Sequence, residues 1–267
     1  MEDIPVVIVC GGQSTRMRAG TDDDIKKELV EVGGRPIIWH VMRIFSAHGF
    51  NRFILALGYK GDQIRRYFAE YDTMLRDVTL HLGAMDGGTP PAQIHNQISH
   101  PAWEVTLVDT GLRADKATRI ARVAQYLGGQ RFFVAYGDDV SNVDLQALVK
   151  FHHAHGKLAT LTAVQVNLQY GVVEADEAGL VNQFVERPRL PYWINGGFML
   201  FERQALDLMA AGSDVNLETE VLPQLAHDRQ LMIYRHTGFW QSMNTFKDTM
   251  ELENAWQLNP PWKIWDT

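Results

Sequence analysis

What most constrains this chain is a repeated switch between two apolar rhythms. Short unbroken runs ("VVIVC", "RFILALG", "WEVTLVD", "RFFVAYGDD") alternate with stretches whose apolar residues recur at helical spacing. Ile37, Val41, Ile44 and Phe45 share one face after Pro36, a helix expected to stop before Gly49. Ile64, Tyr67 and Phe68 mark a second helix, and Ile120, Val123, Ala124 and Leu127 form an i, i+3, i+4, i+7 stripe. Strands joined by helices of this length predict a mostly parallel, doubly wound α/β sheet. In such a sheet ligands bind beyond the carboxyl ends of the strands. The glycine turn after the first run and Asp138–Asp139 after the fourth both occupy such ends, so one crevice is expected to hold both.

From about Leu158 the rhythm changes to short strands and turns: "LATLTAV", "GVVEA", "LVNQFVE", "WINGGFMLF". This predicts a smaller lobe, 158–267, laid on the sheet of a 1–157 core within a single domain. Helices are expected at 203–211, at 218–226 and over "FKDTMELENAWQL". The glycine- and proline-rich segment 85–101 reads as a flap.

Composition narrows the function classes. A formal net charge of −7 over 267 residues argues against nucleic-acid or anionic-membrane binding, which need basic patches. No run of about 18 apolar residues occurs, so no membrane span is expected. The single cysteine, Cys10, reads as a small buried hydrophobe in a reducing compartment, and the first residues lack a basic leader, so a cytoplasmic location is expected.

Chemistry concentrates in the loop "CGGQSTRMRAGTDDDIKKELVEVGG". Glycines let main-chain N–H groups approach an anion, while Arg16, Arg18, Lys26 and Lys27 supply neutralising charge. The spacing fits neither a dinucleotide fingerprint nor a P-loop. The carboxylates of "YGDD" suit Mg²⁺, which takes one or two carboxylates and leaves the rest of its shell to phosphates and water. Capping of the following helix by Asp138 or Asp139 is the alternative. His152, His153 and His155 read as a solvated helix end rather than a metal site. Trp256, Trp262 and Trp265 read as packing or subunit contacts. With no nucleophile elbow or Ser-His-Asp pattern, the cation-rich loop and distant carboxylate favour direct phosphoryl or nucleotidyl transfer.

On "VEVGGRPIIWHVMRIFSAHGF", "GYKGDQIRRYFAEY", "VTLVDTGL", "AYGDDVSNVD", "FHHAHGKLATLTAVQ", "ERPRLPYWINGGFMLF" and "TGFWQSMNTFKD" the chain resembles the sugar-1-phosphate nucleotidylyltransferases. The nearest branch is that of the glucose-1-phosphate cytidylyltransferases. The resemblance implies a Rossmann-like, GT-A-like fold with an acceptor-side lobe, a homo-oligomer, and Mg²⁺-dependent transfer from a nucleoside triphosphate, CTP, to a sugar-1-phosphate. It places the triphosphate on Gly11, Gly12, Gln13, Thr15, Arg16, Arg119 and Asp138, with Arg16 and Lys27 as the catalytic cations. It assigns the sugar phosphate to Tyr170, Gly171, Glu186, Arg187 and Asn195, and Mg²⁺ to Asp138 and Asn244.

The chain departs from the family pattern mainly at the nucleotide end. Ser14 replaces a loop glycine, which costs on the order of 1–2 kcal/mol wherever φ must be positive. Ile25-Lys26-Lys27-Glu28 replaces K-P-K-P, Ala117-Thr118-Arg119 replaces G-G-R, and Asn244 replaces a charged Mg²⁺ ligand, which Asp139 is placed to offset. Two other readings stay open: the same fold acting on a different acceptor or nucleotide, and a non-catalytic nucleotide- or sugar-phosphate-binding regulatory protein.

Overall fold

A computed structural model describes residues 2–12, 25–81, 92–95 and 102–265. Its centre is an eight-stranded sheet: β1 (Val6–Cys10), β2 (Arg52–Leu57), β3 (Glu104–Asp109), β4 (Arg131–Tyr136), β5 (Ala159–Val164), β6 (Ile194–Asn195), β7 (Met199–Glu202) and β8 (Leu231–Arg235). β1 lies between β2 and β4, parallel to both, and β3 continues the parallel order beyond β2. β7 joins β4 antiparallel and leads to β5. β8 runs parallel along one edge of β5, so β6 and β7 share the other edge. The second half of the chain thus extends the first sheet.

The apolar runs of β1 and β2 are continuous because both sheet faces are covered. Ile8, Leu55 and Phe133 face the helix Ile37–Ala47, while Val7, Val9, Ile54 and Val134 face the helix Lys116–Arg122. Two cores, one on each face, are what a doubly wound sheet requires.

Several local expectations hold and several need correction. The helices Ile37–Ala47 and Phe246–Leu258 fall where the periodicity puts them, the latter opened by a Thr245–Asp248 capping box. Asp144, rather than Asp138 or Asp139, caps the helix Leu145–His155. The region 203–211 is a 3₁₀ turn followed by the short helix Leu206–Met209. Region 218–226 is a π-turn, Leu217–Val221, running into the helix Leu222–His227. Pro223 explains the widened turn, since its ring clashes with an ordinary helical carbonyl four residues back and it has no N–H to give.

The solvated reading holds for the exposed His153 and is corrected for His152. His152 is 1% exposed, its Nδ1 lies 2.7 Å from Thr160 Oγ1, its Nε2 lies 3.1 Å from Glu202, and burial lowers its pKa to about 4. Helix polarity favours histidine there, but the neighbouring strand covers it. Trp262 is fully buried against His40 and Phe239, as packing rather than surface. Of the 85–101 flap only 92–95 is described, as a strand, Ala92–Ile94, paired with Val78–Leu80. Among the described residues no helix is long and apolar enough to cross a membrane.

Candidate active site

The chain leaves β1 toward β2 and β3 on one side, and β4 lies on the other. The carboxyl ends of β1 and β4 therefore flank the topological switch point, where open α/β sheets form their crevice. Gly11 and Gly12 follow β1, and Gly137 and Asp138 follow β4. A cleft of about 450 Å³ opens there, lined by residues of both ends together with Lys27, Asn195 and Asn244.

The glycines have separate causes. A Cβ on Gly11 would sit 2.1 Å from Arg119 Cζ, and one on Gly137 would sit 2.8 Å from Glu28 Cγ. A Cβ on Gly12 would meet nothing within 4 Å among the described residues. Gly11 therefore makes room for a buried side chain, while Gly12 lines the cleft.

Lys27 is the focus of the cleft. Its Nζ forms an ion pair with Asp138 Oδ2 and donates to Asn244 Oδ1 at 3.0 Å, across 217 residues of sequence. The Asn244 amide is oriented by its own donation to Ser242 Oγ at 2.8 Å, and its backbone N–H is held by Asp248. Asp139 lies behind Asp138, 4% exposed, and burial together with the neighbouring Asp138 charge pushes its carboxyl far above the usual range. Asp138 and Asn244 thus aim side-chain oxygens at one cation. In this structure that cation is the Lys27 ammonium.

Beneath Lys27 lies a second, buried pair. Lys26 is 1% exposed, donates to the Gly12 carbonyl at 2.6 Å and sits 3.4 Å from Glu28 Oε2. Burial raises the Glu28 carboxyl to about 7. Both residues stand where K-P-K-P has proline.

The far wall was not legible beforehand. Tyr136 donates to Glu218 Oε1 at 2.7 Å and accepts from Asn195 Nδ2 at 3.2 Å. Lys116 pairs with Glu218 and lies 4.7 Å from the Tyr136 ring centre. Burial and the adjacent Glu218 raise the Tyr136 hydroxyl well above its ordinary value, so it stays protonated as a donor. Asn216, whose Oδ1 accepts from the N–H groups of Glu218 and Thr219, fixes the π-turn that presents Glu218. The only prior hint was an asparagine with helix-capping character two residues ahead of a glutamate.

Other assigned residues are placed differently. Arg119 is 4% exposed and donates to the carbonyls of Leu57, Gly11, Gly111 and Leu112 and to Thr110 Oγ1. It fastens the ends of β1, β2 and β3 together at the cleft floor. Glu186 and Arg187 are each 61% exposed at the side chain, pair with one another at 3.4 Å and do not line the cleft. Tyr170 is 78% exposed, and Gly171 lies beside Glu186 and Phe184. Of the sugar-side residues only Asn195 borders the cleft. Gln13, Ser14, Thr15, Arg16 and Arg18 lie outside the described residues.

A doubly wound sheet whose switch point gathers a glycine turn, an ammonium, a carboxylate and an amide oxygen defines a phosphoryl- or nucleotidyl-transferring enzyme. Comparison with known proteins specifies it. The nucleotidyl transferase family model matches residues 5–257, and the chain belongs to that family. It is similar to the glucose-1-phosphate cytidylyltransferase of Salmonella typhi, at 40% identity over 264 residues that cover 97% of this chain and 99% of that protein. It is also similar, at 28% identity over 96% of its length, to the mannose-1-phosphate guanylyltransferase catalytic subunit beta of Xenopus tropicalis, of which 67% is covered. The structure of HddC from Yersinia pseudotuberculosis shares the fold, with a TM-score of 0.67 at 18% identity over 95% of this chain and 99% of that one.

Proposed function

We propose that the enzyme joins CTP and glucose-1-phosphate to give CDP-glucose and pyrophosphate. A phosphate oxygen of the sugar phosphate attacks the α-phosphorus of CTP. One P–O bond forms there as the bond to the leaving pyrophosphate breaks. Two anions must meet, so the site needs fixed positive charge more than a covalent nucleophile.

The observation that carries this reading is Lys27 Nζ, held between Asp138 and Asn244 at the switch point. An ammonium placed there can bridge the α-phosphate and the attacking phosphate, already oriented before substrate arrives. Asp138 and Asn244 would hold Mg²⁺, which supplies charge neutralisation on the triphosphate. Gly11, Gly12, Gln13, Thr15 and Arg16 are assigned to the triphosphate. On the acceptor side Asn195, with the protonated Tyr136, offers polar contacts to sugar hydroxyls. Glu186 and Arg187 are assigned to sugar hydroxyls and sugar phosphate, the guanidinium giving a bidentate fork. In this division 1–157 carries the nucleotide and 158–267 the acceptor, with Asn244 and Tyr136 each reaching across to the other side.

A homo-oligomer, in a reducing compartment, completes the reading. The ribbon Val172–Ala175/Val181–Val185 exposes Val173, Leu180, Val181 and Phe184, an apolar surface that a second subunit would cover. The test of function is a matrix of nucleoside triphosphates against sugar-1-phosphates, scored by pyrophosphate release with and without Mg²⁺. CTP with glucose-1-phosphate and Mg²⁺ should exceed every other pair, and equal rates across bases would contradict the assignment.

A further inference from the structure

The proposed chemistry leaves two buried charges without a task. Lys26 and Glu28 flank Lys27 in sequence and are 1% and 6% exposed. Two charges withdrawn from water cost more than a well-packed apolar pair, so their burial adds little stability in itself. Their contacts show a geometric purpose instead. Lys26 Nζ reaches the Gly12 carbonyl at 2.6 Å and Glu28 Oε2 at 3.4 Å, while the Lys26 backbone N–H is fixed by Gln63 Oε1 at 2.7 Å. Glu28 borders the cleft with its Cγ against Gly137, and Oε2 accepts no hydrogen bond among the described residues.

We propose that Lys26 and Glu28 form an ionic clamp that positions the glycine turn for the triphosphate and sets Lys27 into the cleft. Three geometric points support it. Lys26 has extended backbone, φ −63° and ψ 133°, so consecutive side chains diverge: Lys26 goes under the turn and Lys27 into the cleft. Gly12 has no Cβ of its own to pack, and the Lys26 ammonium holds its carbonyl from the buried side. That contact fixes the orientation of the Gly12 carbonyl at the end of β1 before any substrate arrives. Glu28 in turn holds Lys26 and touches the β4 side at Gly137, so the clamp ties both lips of the cleft. These are positioning residues; neither needs to touch substrate.

The inference rests on the transfer reaction assigned above, and its test separates the two. CTP affinity is measured by calorimetry, and turnover with glucose-1-phosphate by pyrophosphate release, on the full chain. Lys26→Met/Glu28→Leu removes both charges without leaving one unpaired. Its CTP dissociation constant should rise by at least tenfold and its kcat fall by at least tenfold, while KM for glucose-1-phosphate changes less than threefold and the protein stays folded. Lys26→Arg, which keeps a cation that reaches the same carbonyl, should recover most of the loss. If the double variant does not fold, Lys26→Gln replaces it under the same thresholds. A CTP affinity loss below tenfold in the folded variant, or equal loss for both substrates, would overturn the clamp. A wild type that binds CTP but makes no CDP-glucose would strike the transfer reading, with the clamp still judged by the affinity ratio. A wild type that binds no CTP would overturn both.

Discussion

The cleft and the ribbon carry the same kind of pair, a cation beside a carboxylate, in opposite surroundings. Lys27 and Asp138 are 12% and 19% exposed, and Lys27 also donates to Asn244, whereas Arg187 and Glu186 are each 61% exposed and pair with one another. An exposed pair of the second kind contributes about 0–1 kcal/mol and fixes little. A partly buried pair with oriented neighbours is held before substrate arrives, which is what charge stabilisation in a transition state requires. The contrast teaches that the fold builds the cleft pair into place, while it leaves the Glu186–Arg187 pair on the surface.

The sharpest way to break this contrast is to remove the built cation. Lys27→Ala is expected to lower turnover by about 10²–10³-fold, roughly 3–4 kcal/mol of barrier, with a much smaller change in CTP affinity. Near-wild-type turnover would move the activating role elsewhere. Next in size is the cleft floor. Arg119→Met leaves buried carbonyls without donors and should cost about 2–4 kcal/mol in urea unfolding, whereas Arg187→Ala should stay within about 0.5 kcal/mol. Similar losses for the two arginines would erase the distinction.

The buried side also has a pH signature. His40 Nε2 donates to the Val32 carbonyl at 2.8 Å and Nδ1 accepts from Trp262 at 3.3 Å, so the neutral ring is satisfied on both sides. Desolvation by burial lowers its pKa from 6.5 to about 4. A base with a depressed folded pKa takes its proton in the unfolded chain first. Its contribution is therefore intact above pH 6.5 and lost as pH falls toward 4, on the order of 3 kcal/mol. Unfolding free energies over that window should fall accordingly, and His152 adds to them with the same sign; a flat profile would contradict the neutral assignment. The smallest effect concerns the oxygens proposed for the metal. Asn244→Asp adds one charge beside Asp138 and should tighten Mg²⁺ in the nucleotide complex by about tenfold, after its own desolvation is subtracted. Unchanged affinity in a Mg²⁺ titration would remove Asn244 from the metal position.

The parts legible in the sequence were those with local periodicity or a position at a strand end. The runs of β1 and β4, the stripe of Ile37 to Phe45 and the "GDD" turn each announce themselves within a dozen residues. The meeting of Lys27 with Asn244, and of Tyr136 with Glu218, depends on how distant strands stack in the sheet, which no local spacing encodes. Arg119 illustrates a third case: the motif position was legible, but its contacts to the ends of three strands were not. The buried histidine was misread because helix-end propensity is local and its cover, Thr160 on β5, is not.

The division of labour between the two regions is the central claim, and one pair of titrations tests it directly. Glu186→Ala/Arg187→Ala is titrated by calorimetry with CTP and Mg²⁺, and separately with glucose-1-phosphate. The acceptor dissociation constant should rise by about tenfold or more, in line with the roughly 1–3 kcal/mol of a charge-assisted contact, while that of CTP stays within about twofold. Equal weakening of both ligands, or of neither, would contradict a site whose nucleotide end is built by the cleft and whose acceptor end is supplied by the ribbon.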